Sequence, residues 1–180
     1  MRCGHNSRVE STTGDYVVLE SSNSRDRVFF NDRDPETGKV FTVRFDISQG
    51  ERGDRVKEYR LDDTPVANGG VAQKGGSFLA INYGRMARLR PVTGYQGAYD
   101  WTEGQSAPTD DGIFKVDVET GVKKLLVSFA VLREAVRDVV PSIDEYSLFI
   151  NHTLNNRDGD RIYFYLRANF RGKLPRKSSS

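Results

Sequence analysis

A five-residue motif, Asp-x-Glu-Thr-Gly, occurs twice in this chain, at residues 34–38 and 117–121. In each copy the final glycine can supply the positive φ that closes a short hairpin loop. Strand-like runs flank both copies, and residues 40–46 alternate, with Val43 and Phe45 on one side. The motif therefore predicts antiparallel sheets made from strands that are neighbours in sequence, and it argues against parallel strands joined by crossover helices.

Short runs rich in β-branched and aromatic residues continue along most of the chain, which predicts an all-β fold. We expect residues 28–31 to pair antiparallel with 41–46, and residues 112–117 with 122–127. The bulky apolar residues within the runs are expected to be buried, namely Phe29, Val43, Leu79, Phe114, Leu125 and Phe164. The predicted strands are residues 16–19, 27–31, 40–46, 56–61, 77–82, 112–117, 122–127, 146–151 and 161–167.

One inserted α-helix is predicted near residues 128–140. Ser128 can cap its N-terminus. The apolar residues Phe129, Leu132, Val136 and Val139 then form a stripe at helical spacing, and Pro141 ends the helix.

The predicted strands belong to a longer repeat in the sequence. Residues 23–30, 73–80 and 156–164 each contain a polar or glycine-containing turn followed by a strand. The first two are followed by a strand ending in Asp46 or Asp117, another turn, and a basic-apolar strand. Four antiparallel strands recurring every ~40–50 residues are typical of β-propeller blades, whereas a plain antiparallel sandwich does not predict this recurrence.

Two segments carry a resemblance to a known family. Residues 112–121, Gly-Ile-Phe-x-Val-Asp-x-Glu-Thr-Gly, and residues 156–164, Asn-x-Asp-Gly-x-Arg-Ile-x-Phe, resemble blades of TolB-like β-propellers. Similar blades form oligogalacturonate lyase, a manganese-dependent propeller that cleaves sugars. Residues 78–95, with the Asn151-His152-x-Leu154 segment, look closest to uncharacterised bacterial propellers of this group. The resemblance implies a sugar-related function.

The resemblance also predicts the domain organisation. We expect blades at about residues 15–63, 64–127 and 146–170, with the helix insert at 128–141, a disordered N-terminus at 1–14 and a basic tail at 171–180. This amounts to about two and a half blades, whereas a ring closes with about 4–8. The chain is therefore expected to be a partial propeller, completed by blades of a longer chain or by self-association.

The amino-acid composition argues against several classes of function. Lys and Arg total 27 and Asp and Glu total 25, and this near-balance argues against a nucleic-acid partner. The single cysteine, Cys3, excludes an intramolecular disulfide framework and a cysteine-based zinc cluster. No apolar run is long enough to span a membrane, and no secretory signal is visible, so we expect a cytoplasmic protein without a membrane partner.

Basic and aromatic residues cluster in one apparent loop, residues 83–101. Arginine forks recognise carboxylates, and aromatic faces stack on sugar rings. The cluster therefore predicts a site for an acidic saccharide, and a strand at residues 86–90 would place Arg88 and Arg90 on one face. Salt bridges between blades and aromatic packing are the alternative interpretation. The candidate ligand-binding residues here are Arg85, Arg88, Arg90, Tyr95 and Trp101.

Asn151 and His152 end an apolar strand and form a second candidate site. Asn151 is a candidate ligand-binding residue, and His152 is the candidate catalytic residue, as a general base or metal ligand. The resemblance implies that lyases of this kind bind manganese through several histidines and a glutamine. Here His5 is the only other histidine, so a complete copied metal site is not predicted. A hydrogen-bonded structural histidine is the alternative.

No nucleophile elbow, phosphate-binding glycine loop or paired-cysteine motif is present. Asp110 and Asp111 precede a glycine and indicate a turn. We therefore expect a propeller-type binding or scaffold module for acidic saccharides, with no cofactor evident. The alternative is a metal-dependent polysaccharide lyase acting on acidic oligosaccharides, with Mn²⁺ as its cofactor, so whether the protein is an enzyme stays open.

Overall fold

A computed structural model describes residues 27–46, 55–74 and 76–170 of the chain. These residues form three antiparallel sheets and two α-helices, so the predicted all-β class is confirmed. The first sheet has the strand order β1 (Arg27–Arg33), β2 (Val40–Asp46), β3 (Arg55–Tyr59). The second sheet has the order β4 (Ala67–Val71), β5 (Ser77–Ile81), β6 (Gly112–Asp117), β7 (Lys123–Ser128). The third sheet consists of β8 (Tyr146–Asn155) and β9 (Ile162–Phe170).

The repeated motif forms a hairpin turn in both of its copies. Asp34 Oδ1 accepts hydrogen bonds from the backbone N–H groups of residues 36 and 37, and Asp117 Oδ1 does the same for residues 119 and 120. Gly38 and Gly121 have φ values of 72° and 77°. The predicted pairings are confirmed, since β1 pairs antiparallel with β2, and β6 with β7.

The sheets differ in the number of strands described. The second sheet contains four strands in sequence order, the first contains three and the third contains two. The predicted strand at residues 16–19, the N-terminus 1–14 and the tail 171–180 lie outside the described residues.

The core lies between the sheets. One cluster contains Phe29 and Phe114, and a second contains Leu79 and joins β8 to the second sheet and to the helix that follows β7. Phe29, Val43, Leu79 and Phe114 are buried as predicted. Leu125 and Phe164 are only partly buried, although both pack against these clusters.

The predicted helix is present but shorter. Its residues are Phe129–Val136 (α2), and the Ser128 side chain accepts a hydrogen bond from the Val131 N–H, as an N-cap does. The predicted end near Pro141 is wrong. Phe129 lies in the core and Val136 packs against it, whereas Val139 is 83% exposed, so the apolar contact that would continue the helix ends at Val136.

Three elements were not predicted, and one of them is the short 3₁₀ helix Ile143–Glu145. Residues Tyr83–Leu89 form a helix (α1), and Asn82 caps it by accepting a hydrogen bond from the Arg85 N–H. This excludes the strand considered for residues 86–90. The strand β4 contains Ala-Asn-Gly-Gly-Val, which carries little strand signal. Neither helix in the described ranges is long and apolar enough to cross a membrane.

Candidate functional site

Arg85 is fully buried, and its guanidinium is used inside the protein. Nε lies 2.6 Å from the carbonyl oxygen of Leu148, and Nη2 lies 2.7 Å from that of Ser106. Nη1 donates to Thr102 Oγ1 and to the carbonyl oxygen of Gln105, at 2.9 and 3.0 Å. Arg85 therefore ties α1 to the 99–111 segment and to β8, and it does not present its charge to a ligand.

Arg88 is paired with a carboxylate. Its Nε and Nη2 both lie 2.7 Å from Oδ2 of Asp100, whose side chain is 4% exposed. Burial alone would raise the pKa of Asp100, but hydrogen bonds from Thr102 and Arg88 outweigh it and hold that pKa below its usual value. Arg88, Asp100 and Glu103 line a cleft of about 520 Å³, here called the loop cleft, with Gln96 and Tyr99. Two acidic residues against one basic residue make the loop cleft unsuited to an anion.

The two aromatic residues predicted for the same site lie elsewhere. Tyr95 is buried and packs edge-on against Tyr83, with the ring centroids 5.3 Å apart. Trp101 packs against the core cluster that contains Phe29 and Phe78. Neither ring is among the residues lining the loop cleft.

A buried carboxylate, Asp111, supports the same region, although the sequence predicts only a turn there. Its Oδ2 accepts a hydrogen bond from Asn82 Nδ2 at 3.0 Å, and its Oδ1 accepts one from the Gly112 N–H at 2.7 Å. Complete burial raises the pKa of Asp111 to about 6, although Asn82 and Arg85 act in the opposite direction. Burial likewise lowers the pKa of Arg85 to about 10.

The third sheet holds the second candidate site. A cleft of about 440 Å³, here called the tyrosine cleft, is lined by Asn151, His152, Leu154, Tyr163 and Tyr165, together with Gly69, Ile81, Tyr83, Met86 and Thr153. The structure thus places the two predicted residues of β8 beside two tyrosines of β9. No acidic residue is among the described residues of this lining.

A β-bulge presents His152 to the tyrosine cleft. The pairing of β8 with β9 shifts register between Asn151 and Thr153, which leaves His152 as the extra residue. His152 has φ 55°, the only positive φ of a non-glycine residue among those described. This conformation costs about 1–3 kcal/mol, and residues held in it cluster at functional sites. The imidazole lies edge-on to Tyr165, with the ring centroids 5.8 Å apart.

Tyr163 and Tyr165 are exposed by the alternation of β9. Ile162, Phe164 and Leu166 pack towards the core, so the tyrosines between them project to the other face. Tyr163 and Tyr165 are 54% and 46% exposed, and their centroids are 5.3 Å apart. Sequence reasoning predicted this strand but did not single out the tyrosines, although the alternation was the signal that could have identified them.

Arg90 lies in a neighbouring cleft. This arginine cleft, of about 410 Å³, is lined by Leu89, Arg90, Phe149, Arg167, Ala168 and Asn169. Asn169 Nδ2 donates a hydrogen bond to the carbonyl oxygen of Leu89, which holds the end of α1 against β9. The Arg167 guanidinium is 5.5 Å from the centre of the Tyr165 ring, so Arg167 connects the arginine cleft with the tyrosine cleft.

The surroundings of His152 do not fit a manganese site. Across residues 27–46, 55–74 and 76–170, no group of three or more His, Cys, Asp or Glu side chains could hold a metal ion. The side chains beside His152 are instead tyrosine, asparagine and leucine.

Comparison with family models, with curated proteins and with solved structures found no match to this chain.

Proposed function

We infer that this chain is part of a β-propeller that binds saccharides, and that the tyrosine cleft is its binding site, with acidic oligosaccharides as the ligand class. The propeller assignment is supported by sheets of sequential antiparallel strands that pack against one another. It is also supported by the close approach of β4, the first strand of the second sheet, to β8, the first strand of the third.

The observation that carries the binding proposal is the exposed pair Tyr163 and Tyr165 beside His152 in its left-handed bulge. An exposed aromatic face binds the apolar face of a sugar ring by stacking. The cleft volume of about 440 Å³ falls in the range of small-ligand pockets. The tyrosine pair lines the tyrosine cleft and lies outside the core clusters.

Polar groups at the edge of the cleft would bind the sugar hydroxyls. The Asn151 amide both donates and accepts, and the His152 imidazole does the same when neutral. Arg167, beside the Tyr165 ring, would bind a carboxylate of the saccharide through a charge-assisted hydrogen bond. The site thus combines a stacking face, neutral hydrogen-bonding groups and one cation.

The test is a titration with oligogalacturonate and with a neutral oligosaccharide, monitored by calorimetry. Tyr165→Ala is expected to weaken oligogalacturonate binding about tenfold, because it removes the stacking face. Tyr99→Ala is the matched control, since Tyr99 is 47% exposed but lines the loop cleft. Equal weakening by both variants, or no binding by the parent chain, would contradict the proposal.

The same samples also test the alternative that the protein is a lyase. A lyase acting by elimination leaves a double bond in the product, which absorbs in the ultraviolet. We expect no such product on adding Mn²⁺, because the residues described around His152 do not form a metal site. Product that appears with Mn²⁺ and disappears in His152→Ala would favour the lyase over the binding module.

A further inference from the structure

The arginine cleft brings two positive charges together without an acidic neighbour. Arg90, at the end of α1, and Arg167, on β9, line the same cavity of about 410 Å³. The remaining described lining residues are Leu89, Phe149, Ala168 and Asn169, none of which is charged. Among the described residues, no salt bridge within 4.0 Å involves Arg90 or Arg167.

A comparison with Arg88 shows that the lack of an acidic partner is a property of the arginine cleft and not of the helix α1. Arg88 lies two residues before Arg90 and is neutralised by Asp100 at 2.7 Å. Arg90 instead lies at the C-cap of α1, where the chain leaves the helix with φ −141°. The Asn169 hydrogen bond to Leu89 holds this end of α1 against β9, and Arg90 and Arg167 line the same cleft there.

We propose that the arginine cleft is a binding site for a dianionic phosphoryl group, as on a phosphorylated small molecule. Two arginines that line one cleft without an acidic residue among its lining favour an anion there, because the anion offsets both positive charges. A single carboxylate would neutralise only one of the two. A phosphate monoester carries about −1.5 to −2 charges at pH 7 and three acceptor oxygens, which matches two forks.

This inference goes beyond the proposed saccharide site and shares with it only Arg167. The arginine cleft has its own lining, and Arg90 is not among the residues of the tyrosine cleft. Because Arg167 contacts Tyr165, a ligand carrying both a sugar ring and a phosphoryl group could bind to both clefts. A phosphate without a sugar tests the arginine cleft by itself.

The experiment is a titration of the whole chain with inorganic phosphate at constant ionic strength, monitored by amide chemical shifts, with acetate as the monoanion. We expect saturable shifts at Arg90, Arg167 and Asn169, and at least about tenfold weaker binding of acetate. Arg90→Ala and Arg167→Gln should each weaken phosphate binding about tenfold or more. Arg88→Ala, which removes the same charge from the same helix, should leave it unchanged.

A parallel titration with glucose 6-phosphate and glucose separates free phosphate from a phosphorylated sugar as the preferred ligand. Absence of saturable phosphate shifts would overturn the proposal, as would equal binding of phosphate and acetate. It would also fail if Arg88→Ala weakened phosphate binding as much as Arg90→Ala. Oligogalacturonate binding that persists when phosphate binding is absent would leave the saccharide site standing and remove only this inference.

Discussion

Nε of Arg85 lies 2.6 Å from the carbonyl oxygen of Leu148, and this hydrogen bond joins the helix α1 to the strand β8 across 63 residues of sequence. The Leu148 N–H in turn donates to the carbonyl oxygen of Ser106, which also accepts from Arg85 Nη2. One buried side chain thus holds the 99–111 segment along β8. The position of the third sheet, and with it both clefts on that sheet, depends on this contact.

We therefore expect Arg85→Ala to lower the free energy of unfolding by about 3 kcal/mol or more, because it removes the hydrogen bonds that the buried guanidinium donates to the carbonyl oxygens of Leu148, Gln105 and Ser106. Arg85→Lys should be intermediate, since one ammonium group cannot reach all the acceptors. Urea unfolding measures both. Arg90→Ala is the control and should change stability by less than about 0.5 kcal/mol. A similar effect of the Arg85 and Arg90 variants would contradict the structural role of Arg85.

Asp111 predicts a pH dependence of stability. Its folded-state pKa is about 6, against an ordinary value of 3.8. Between these values the folded state binds more protons than the unfolded chain, so stability should fall as the pH rises from about 4 to about 6 and level off above that. The expected loss is about 2–3 kcal/mol.

Chemical unfolding at pH 4.5 and 7.5 measures this slope. Asp111→Asn should be less stable than the parent at both pH values, because its amide meets the Nδ2 donor of Asn82, but it should lack the slope. Asp100 has a lowered pKa, so the stability that its ionised form contributes is lost only as the pH falls through its folded-state pKa. A parent protein and an Asp111→Asn variant with parallel pH profiles would show that Asp111 is ionised in the folded state.

Gly70 and Gly76 form a matched pair for testing how β4 meets β8. A Cβ atom at Gly70 would overlap the carbonyl oxygen of Thr153, whereas one at Gly76 would meet nothing within 4 Å. We expect Gly70→Ala to cost about 1–3 kcal/mol and to weaken saccharide binding, because it displaces the bulge beside His152. Gly76→Ala should change stability by less than about 0.5 kcal/mol. Thermal melting of both variants checks this, and equal melting temperatures would argue against the close contact.

His152→Gly should separate stability from binding. Glycine adopts the left-handed backbone at position 152 without strain, so the variant is expected to gain roughly 1 kcal/mol of stability. It should also lose oligogalacturonate affinity, because the imidazole beside Tyr165 is removed. His152→Ala should lose the same affinity without the gain in stability. Unchanged binding in both variants would mean that His152 has only a backbone role.

The hairpins could be predicted from the sequence because their determinants are local. In the turn at Asp117, the aspartate accepts from backbone N–H groups two and three residues ahead, and Gly121 supplies the positive φ. The same locality explains why the cap at Ser128 was predicted correctly. The end of α2 was not predicted correctly, because the helix ends where its contact with the core ends. The apolar stripe in the sequence continues to Val139 and does not show where that contact ends.

The site could be predicted only in part. Asn151 and His152 lie together because they are adjacent on one strand, but the grouping of Arg85, Arg88, Arg90, Tyr95 and Trp101 came from proximity in sequence alone. The helix α1 points Arg85 and Arg88 in different directions, whereas Tyr95 and Trp101 lie beyond its end. Arg85 is drawn inward by acceptors up to 63 residues away.

The sequence by itself therefore determined the strand runs, their antiparallel pairing and the turns, since these follow from side-chain alternation and from contacts within a few residues. Only the tertiary structure decided that β4 is a strand, that Arg85 is buried, and that Arg90 and Arg167 line one cleft. The physical reason is that burial and charge pairing are settled by residues far apart in the chain. Gly70 lies against Thr153, and Asn169 holds the end of α1 against β9, which brings Arg90 and Arg167 to one cleft.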